Sequence, residues 1–331
     1  MRIYNHIRDR IASSLLREKI YRILKAPWIA KNSLYNLLYS KRIKEVMRKG
    51  KNFPRIISIE TTNFCNARCI MCAYPFMKRK KGFMEEKLYK KIIDEVKEKE
   101  FDILLLSGFG EPLLDKRLPR FIQYAKDKGI KKIGIVTNAS LLTKKNAKIL
   151  EDGGLDELHI SIDGATKEVY EKIRVGLSFE KVVENIENLK DLKKTRVFLK
   201  MVLIKENKGE VKKFIHRFKN VADKIVVRQA QDWVGTVEVH PEGYTPHVEA
   251  PKEYYPPCYY LWTSISIYWD GKVPLCCLDY DAKVILGNVY YSSIQQIWNG
   301  EKLLRIRELH IKGKRKAVPL CKECGYFSVW W

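Results

Sequence analysis

Three cysteines lie close together in the segment CNARCIMCAYP, at Cys65, Cys69 and Cys72. Thiolates three or four residues apart on a tight loop can all face one soft metal centre, either an iron–sulfur cluster or zinc. A structural zinc needs a fourth ligand, but the loop offers none and the histidine closest in sequence, His6, is far away. A cluster with three ligands leaves one iron open, and an open metal position is typical of a reactive site.

A second group of cysteines follows near the end of the chain: Cys258, Cys276, Cys277, Cys321 and Cys324. All except Cys277 are well separated, and four such thiolates suit zinc and an iron–sulfur cluster equally. Asp270-Gly271 is a tight-turn dipeptide between alternating apolar residues, which predicts a small antiparallel pair flanked by Cys258 and Cys276. We interpret Cys277 as a buried thiol that binds no metal. The alternative is that Cys277 takes the place of Cys276 as a metal ligand.

Polar and glycine-rich segments also follow two apolar runs, SGFGEP at residues 107–112 and HISIDGA at residues 159–165. Glycines at the end of a strand let a ligand approach the backbone. Glu111 supplies a carboxylate for an ammonium group. These segments are therefore candidates for binding a small molecule.

Short apolar runs alternate with amphipathic, charged segments over the middle of the chain. The runs are residues 55–60, 101–107, 131–138, 157–163, 196–204 and 224–229. A strand-then-helix rhythm predicts βαβ units and a parallel sheet, and strands this rich in Ile, Val and Leu indicate a sheet covered on both faces. The sheet could close as a barrel or stay open and doubly wound; either fold places ligands at the carboxyl ends of its strands.

The rhythm stops after about residue 232, which predicts three units. Residues 1–53 form a basic amphipathic helical extension, residues 54–235 the α/β domain, and residues 236–331 a smaller cysteine-bearing domain. A unit as small as the last needs a staple such as a metal site.

The spacing C-x3-C-x-Φ-C, with Met71 as the apolar residue, resembles the signature of radical S-adenosylmethionine (SAM) enzymes. In that family three cysteines hold a [4Fe–4S] cluster whose open iron chelates the amino and carboxylate groups of SAM. The matching motifs occur in the family's order between about residues 55 and 230. The resemblance implies an α/β fold that is an open, partial (β/α)6 barrel of the TIM type.

The resemblance also implies SAM contacts at the strand ends. Gly110 and Glu111 match the family's glycine-rich element and would hold the SAM amino group, although Phe109 replaces the usual middle glycine. Ser161 and Asp163 look like the ribose-binding positions.

Four further SAM contacts follow from the same resemblance. Arg174 resembles the arginine that pairs with the SAM carboxylate, with a surface arginine near a helix end as the alternative. Leu203 looks like an adenine contact, but a core leucine fits the pattern nearly as well. Tyr74 occupies a position that is often aromatic in the family, and Met71 lies within the cysteine motif itself.

The pattern Cys258-x12-Gly271-x4-Cys276 resembles the SPASM and twitch extensions of radical SAM enzymes, which house auxiliary [4Fe–4S] clusters. The chain lacks the cysteines of the full two-cluster pattern, so the resemblance implies a small α+β domain with one auxiliary cluster. Its ligands would be Cys258, Cys276, Cys321 and Cys324. Full ligation leaves no open iron, which favours an electron-relay or structural role.

The resemblance implies a reaction class but no substrate. An electron donor such as ferredoxin or flavodoxin would drive cleavage of SAM to methionine and a 5′-deoxyadenosyl radical that abstracts hydrogen from a C–H bond. We expect net oxidation or rearrangement of a small sugar-like, phosphorylated or lipid-linked substrate. Candidates to line its pocket are Arg228, Gln229, Asp232 and Trp233, each of which could equally be an ordinary rim residue.

Two other functions remain open. One is modification of a peptide or protein, although residues 1–53 look too short and too basic for a leader-binding domain. The other is a non-enzymatic iron–sulfur or zinc module that binds nucleic acid through its positive charge. The enzyme hypothesis predicts no specific nucleic-acid partner.

The net charge of +24 indicates an anionic partner but does not identify which kind of anionic partner the protein binds. Residues 1–53 hold 14 Lys and Arg against 3 Asp and Glu, with apolar residues at helical spacing. Such a helix either packs on the main domain or lies on an anionic membrane surface through residues 1–50. No signal peptide or spanning segment is recognisable, so we expect a cytoplasmic protein with the option of peripheral membrane contact.

Overall fold

The structure is a computed structural model that describes residues 41, 43–238, 257–322 and 324, and only the backbone of Gln229. Residues 43–49 are helical, and the rest of the predicted basic extension up to residue 42 lies outside the described residues, apart from residue 41. No helix in the described ranges combines the length and apolar character needed to cross a bilayer.

A seven-stranded parallel sheet organises the molecule. Its strands are β1 (Ile56–Ile59), β2 (Ile103–Leu106), β3 (Ile133–Thr137), β4 (Glu157–Ser161), β5 (Arg196–Leu203), β6 (Lys224–Gln229) and β7 (Ser264–Ile267). They lie in the order β6-β5-β4-β3-β2-β1-β7. The six strands predicted from the apolar runs are therefore confirmed, and their sequential order fits the expected partial barrel.

Amphipathic helices follow the strands, since apolar residues at helical spacing must be buried against the sheet. They are α1 (Glu86–Val96), α2 (Leu118–Asp127), α3 (Lys144–Asp152), α4 (Lys167–Ile173), α5 (Phe179–Glu187) and α6 (Val211–Phe218). Short 3-10 turns at Tyr74–Phe76, Pro112–Leu114, Asn188–Asp191 and Lys205–Asn207 complete the connections.

The two faces of the sheet differ in burial. In β5, Leu199 and Met201 are fully buried, whereas the alternating Lys200 and Val202 are only partly buried. Because side chains alternate across a strand, the buried set lies under the helices and the other set lines the opposite face. We call this second face the lumen; its residues on β4 include His159 and Ser161, because Ser161 pairs with Lys200 in register.

The seventh strand comes from the C-terminal part of the chain. β7 pairs with β1 in parallel, with Ile57 opposite Ile265. The antiparallel pair predicted around Asp270-Gly271 is wrong in its partners, because β8 (Lys272–Pro274) pairs with β9 (Ile285–Asn288). The turn itself forms: Gly271 has φ +79°, a conformation that favours glycine.

The remaining C-terminal elements are helical: α7 (Tyr260–Thr263), α8 (Ile294–Trp298), α9 (Glu301–Ile311) and α10 (Pro319–Lys322), with a 3-10 turn at Arg315–Ala317. Residues just before β1 pack on this part. The indole Nε1 of Trp298 donates to the carbonyl of Gly50 at 2.8 Å, and Asn299 donates to the carbonyl of Asn52 at 3.1 Å.

Candidate functional site

The loop that carries Cys65, Cys69 and Cys72 follows the carboxyl end of β1, and Tyr74 holds it closed. The Tyr74 hydroxyl accepts a hydrogen bond from the backbone N–H of Cys65 at 3.0 Å. The backbone N–H of Tyr74 donates to Cys72 Sγ at 3.4 Å. Tyr74 thus has a structural role in the loop, and its predicted contact with SAM stays a prediction.

Burial makes Cys65 and Cys72 unfavourable as free thiolates. It raises the pKa of Cys65 to about 11 and that of Cys72 to about 12, and the charges of the neighbouring cysteines add to both shifts. An iron–sulfur cluster binds thiolates and supplies the positive charge that this environment lacks. Three neighbouring thiols, of which Cys69 is buried and Cys65 and Cys72 are partly buried, therefore fit the cluster implied by the motif.

Glu111 is fixed at the end of the glycine-rich segment. It is 2% exposed, and its carboxylate accepts hydrogen bonds from the Thr137 hydroxyl at 2.6 Å and the Asn138 N–H at 2.7 Å. Gly110 has no room for a side chain, because a Cβ would lie 2.3 Å from the carbonyl oxygen of Thr62. The segment therefore packs directly against the chain that leads into the cysteine loop.

Asp163 and Arg174, predicted as separate SAM contacts, form a buried ion pair. Asp163 Oδ2 accepts from Arg174 Nε at 2.6 Å and Nη2 at 2.5 Å, while Asp163 Oδ1 accepts from the Val202 N–H at 2.6 Å. Arg174 Nη1 lies 3.5 Å from Cys69 Sγ. The alternative of a surface arginine is wrong, because Arg174 is 8% exposed.

The charges of these groups act on one another. The negative charge of Glu111 raises the pKa of Cys65, and the positive charge of Arg174 opposes that shift. Burial alone would lower the pKa of Arg174, but the Asp163 carboxylate more than offsets it, so the guanidinium stays charged. The structure thus brings the three thiols, an anion and a cation to one place at the strand ends.

Two other predicted SAM contacts occupy different environments. Ser161 lies on the lumen face of β4, partly buried, where a ligand can reach it. Leu203 is 7% exposed and alternates with Leu199 and Met201, which places it on the helix-covered face. A core role accounts for Leu203, and its contact with adenine stays a prediction.

Trp233, a predicted substrate residue, links two loops of the site. Its indole Nε1 donates to the carbonyl of Met71 at 2.7 Å, and its ring lies 5.5 Å from that of Phe109. Trp233 has φ +51° and Val234 has φ +61°, which are unusual for non-glycine residues, above all for a β-branched one. Asp232 caps this turn by accepting from the Val234 N–H at 3.0 Å.

The other two predicted substrate residues lie on β6. Arg228 is exposed near the carboxyl end of that strand, and its charge acts on the lumen side chains of Lys200 and His159. The side chain of Gln229 lies outside the described part of the structure.

The lumen also holds a basic residue that the sequence analysis missed. The side-chain ammonium of Lys200 has no hydrogen bond or ion pair within the described ranges, and the residue neighbours Ser161 in register. Burial, followed by the charge of Arg228, lowers the pKa of Lys200 to about 8. The sequence feature that could have revealed this residue is a lysine in the middle of an otherwise apolar strand.

A second missed feature is the buried pair between Glu60 and Arg79. Arg79 Nη1 and Nη2 donate to the two Glu60 oxygens at 2.9 and 2.8 Å, and the Phe109 N–H donates to Glu60 Oε2 at 3.0 Å. Arg79 Nε also donates to the carbonyl of Tyr280 at 2.7 Å. The pair therefore joins β1, the glycine-rich segment and the C-terminal part of the chain.

All five C-terminal cysteines line one cavity, together with His310, Arg315 and several apolar side chains. Burial raises the pKa of Cys258 and Cys321 to about 12, and Arg315 opposes both shifts. Burial raises the pKa of Cys277 to about 11. The cavity thus fits a group that binds thiolates, and it places Cys277 among the candidate ligands.

Within residues 41, 43–238, 257–322 and 324, no group of three or more His, Cys, Asp or Glu side chains has the geometry of a site for one metal ion.

Comparison with known proteins identifies both parts of the chain. Residues 59–218 match the family model of the radical SAM superfamily. Residues 258–325 match the model of the SPASM iron–sulfur cluster-binding domain.

Two curated relatives illustrate the range of matches. A probable GTP 3′,8-cyclase of Methanococcus maripaludis is 37% identical over 140 residues, which are 40% of this chain and 44% of the cyclase. The chain thus aligns with less than half the length of that relative. The tungsten-containing aldehyde ferredoxin oxidoreductase cofactor-modifying protein of Pyrococcus furiosus is 24% identical over 316 residues, covering 82% of this chain and 87% of that protein.

Solved structures show the same fold. BtrN in complex with AdoMet and 2-DOIA has a TM-score of 0.59 at 20% identity, covering 83% of this chain and 94% of BtrN. Streptococcus suis SuiB bound to the precursor peptide SuiA has a TM-score of 0.65 at 14% identity, covering 89% of this chain and 75% of SuiB. The two matched domains imply a [4Fe–4S] cluster with SAM and an auxiliary cluster. The chain belongs to the radical SAM superfamily and carries a C-terminal SPASM-type iron–sulfur cluster-binding domain.

Proposed function

We propose that this chain is an enzyme in which Cys65, Cys69 and Cys72 ligate the cluster that binds SAM. When bound, the cluster supplies the electron that cleaves SAM to methionine and a 5′-deoxyadenosyl radical, which takes hydrogen from a substrate C–H bond. One observation carries the proposal: Arg174 Nη1 lies 3.5 Å from Cys69 Sγ.

The surrounding residues would bind and orient SAM. Arg174 offers its guanidinium to the SAM carboxylate, and Asp163 fixes the orientation of that guanidinium. Glu111 offers a carboxylate to the SAM amino group, held in place by Thr137 and Asn138. Ser161 on the lumen face is the candidate contact for the ribose.

Anaerobic reconstitution tests this assignment. We expect about eight irons per chain, four for each [4Fe–4S] cluster, and dithionite-dependent release of 5′-deoxyadenosine. Cys69→Ser should retain about four irons and lose SAM cleavage, whereas Cys277→Ser should keep both clusters if Cys277 is spare. Bound zinc with no SAM cleavage by the wild-type chain would refute the proposal.

We infer that the auxiliary cluster is ligated by Cys258, Cys276, Cys321 and Cys324 and relays electrons. Four thiolates leave no open iron, and all four cysteines line the same cavity. An acidic electron carrier such as ferredoxin or flavodoxin is a suitable donor for a chain of net charge +24. If the auxiliary cluster relays electrons, its loss should slow substrate turnover. Cleavage of SAM in the absence of substrate should persist.

We propose an anionic small molecule as substrate, in keeping with a phosphorylated, sugar-like or lipid-linked compound. Lys200 and Arg228 put two positive charges on the lumen side, and Lys200 neighbours the candidate ribose contact Ser161 in register. An anionic group bound there would pair with the Lys200 ammonium, which has no partner of its own among the described residues.

Fractionated metabolites test this substrate class. We expect a fraction retained on an anion-exchange column to convert slow SAM cleavage into stoichiometric turnover, and Lys200→Met to raise the KM for that fraction at least tenfold. The exposed Lys190→Met is the matched control. Stimulation by a neutral fraction alone would contradict the proposal, and stimulation by a peptide fraction would favour the alternative of peptide modification.

We propose, separately, that residues 1–50 contact anionic membrane surfaces through their excess of Lys and Arg. Because Gly50 and Asn52 accept hydrogen bonds from the C-terminal part of the chain, deletion of residues 1–40 is the cleaner test. We expect the deletion to abolish binding to phosphatidylglycerol vesicles, with phosphatidylcholine vesicles as the control. Unchanged vesicle binding would rule out this contact.

A further inference from the structure

His310, near the end of α9, faces the cavity of the five C-terminal cysteines. The residue is 1% exposed, and its Nε2 has no hydrogen-bond partner within the described ranges. A buried polar atom left without a partner costs about 1–3 kcal/mol, so a native structure that retains one requires an explanation.

The other ring nitrogen of His310 fixes its tautomer. The backbone N–H of Cys258 donates to His310 Nδ1 at 3.3 Å. An acceptor nitrogen carries no proton, so the ring is neutral and its single N–H is on Nε2. The atom that lacks a partner is therefore a donor, and it borders a cavity lined by sulfur atoms.

We propose that His310 donates a hydrogen bond from Nε2 to the auxiliary cluster and thereby raises the reduction potential of that cluster. The acceptor is an inorganic sulfide or a cysteine sulfur. Hydrogen bonds to sulfur are among the features that set cluster potentials. The reduced cluster carries one more negative charge than the oxidised cluster, so the N–H stabilises the reduced form more.

The same geometry excludes His310 as a cluster ligand. Ligation through Nε2 needs a lone pair on that atom, which would move the proton to Nδ1, opposite the N–H of Cys258. His310 is therefore a positioning and tuning residue beside the ligands. The inference rests on the auxiliary cluster of the proposed function.

The test uses the full-length chain with Cys65, Cys69 and Cys72 replaced by Ala, so that any reconstituted cluster lies in the C-terminal cavity. In this background His310→Asn keeps an acceptor near Nδ1 but removes the Nε2 donor, and His310→Gln places an amide N–H near Nε2. Exposed His216→Asn is the matched control.

A redox titration followed by electron paramagnetic resonance gives the readout. We expect His310→Asn to lower the ratio of reduced to oxidised cluster at a fixed potential about tenfold, equal to about 59 mV for a one-electron couple. His310→Gln should recover most of that shift, and the control should not move. An unchanged potential in His310→Asn, with the cluster assembled, would overturn the inference.

A second measurement needs no substitution at His310. With ¹⁵N-labelled histidine, a weak nitrogen coupling to the reduced cluster supports the hydrogen bond. A strong coupling typical of direct ligation, or none, overturns it even if His310→Asn fails to assemble a cluster. Absence of any cluster in the triple-alanine chain would defeat the auxiliary-cluster proposal and the inference together, whereas a cluster with unchanged potential defeats the inference alone.

Discussion

At the scale of single residues, the buried pair of Asp163 and Arg174 connects the barrel wall to the cysteine loop. Asp163 binds the β5 backbone through the Val202 N–H, and Arg174 reaches Cys69 Sγ. Neither charge is exposed, so each depends on the other for compensation. The pair therefore couples the stability of the fold to the geometry of the proposed SAM site.

Arg174→Gln should lower the free energy of unfolding by about 3–5 kcal/mol, because it leaves the Asp163 carboxylate buried without a cation. Urea denaturation of the metal-free chain measures the loss. Asp94→Asn, which breaks the exposed pair with Lys128, should cost far less stability, because water already solvates both charges. Equal losses in the two variants would contradict the structural role of the Asp163–Arg174 pair. The double variant, Asp163→Asn with Arg174→Gln, should recover part of the lost stability.

At the scale of secondary-structure elements, loops are held by side chains that reach from neighbouring elements. Glu151 on α3 accepts from the backbone N–H groups of Lys193, Lys194 and Thr195, which lead into β5. Burial opposes ionisation of Glu151, but these donors and Lys148 lower its pKa to about 2. The carboxylate thus stabilises the folded state only while it is ionised.

Glu151→Gln should cost about 2 kcal/mol at pH 7, the usual scale for hydrogen bonds to a charged group. Since the folded pKa of about 2 lies below the ordinary value of 4.5, the stabilisation is present above about pH 4.5 and is lost as the pH falls towards 2. Urea denaturation from pH 7 to pH 3 should show the two chains converging. A difference that stays constant with pH, or the same trend in exposed Glu98→Gln, would disprove the assignment.

The turn around Trp233 has a similar function for the cysteine loop. Trp233→Phe removes the hydrogen bond to the Met71 carbonyl but keeps the aromatic contact with Phe109. We expect loss of this hydrogen bond to weaken the free energy of SAM binding by about 1 kcal/mol. The reconstituted variant should therefore bind SAM roughly fivefold more weakly than the wild type, as measured by equilibrium dialysis. Trp269→Phe, which loses a bond to the Lys80 carbonyl instead, is the control. Unchanged SAM affinity in Trp233→Phe would show that the bond does not position the loop.

At the scale of the whole molecule, features encoded by local spacing could be predicted and features made by distant contacts could not. The strands and the cysteine loop follow from apolar runs and from C-x3-C-x2-C spacing within a few residues. The pairing of β7 with β1 was missed because the tight turn at Asp270-Gly271 suggested a local hairpin. Pairing between residues as distant in sequence as Ile57 and Ile265 leaves no periodic signal. The Asp163–Arg174 pairing was missed for a related reason. The sequence shows which residues are charged, but only the packed fold determines which of them form ion pairs.

Arg79 joins the distant parts of the molecule. Besides its two bonds to Glu60, it donates to the Tyr280 carbonyl, and its guanidinium lies 3.7 Å from the centre of the Tyr268 ring. Asp281 in the same region accepts from the backbone N–H of Arg79 at 3.0 Å. The segment after the cysteine loop is thereby clamped to the C-terminal part of the chain.

Arg79→Gln should lower the free energy of unfolding by about 3–5 kcal/mol, because Glu60 loses its cation while it stays buried. The contacts to Tyr280 and Tyr268 are lost as well, so tryptophan fluorescence and far-UV circular dichroism should report separate transitions, whereas we expect coincident transitions for the wild type. Arg120→Gln, which alters an exposed arginine 3.7 Å from Glu86, should leave both probes coincident. If the unfolding midpoint of Arg79→Gln equals that of the wild type, the C-terminal part is held by its apolar contacts and the β1–β7 pairing alone.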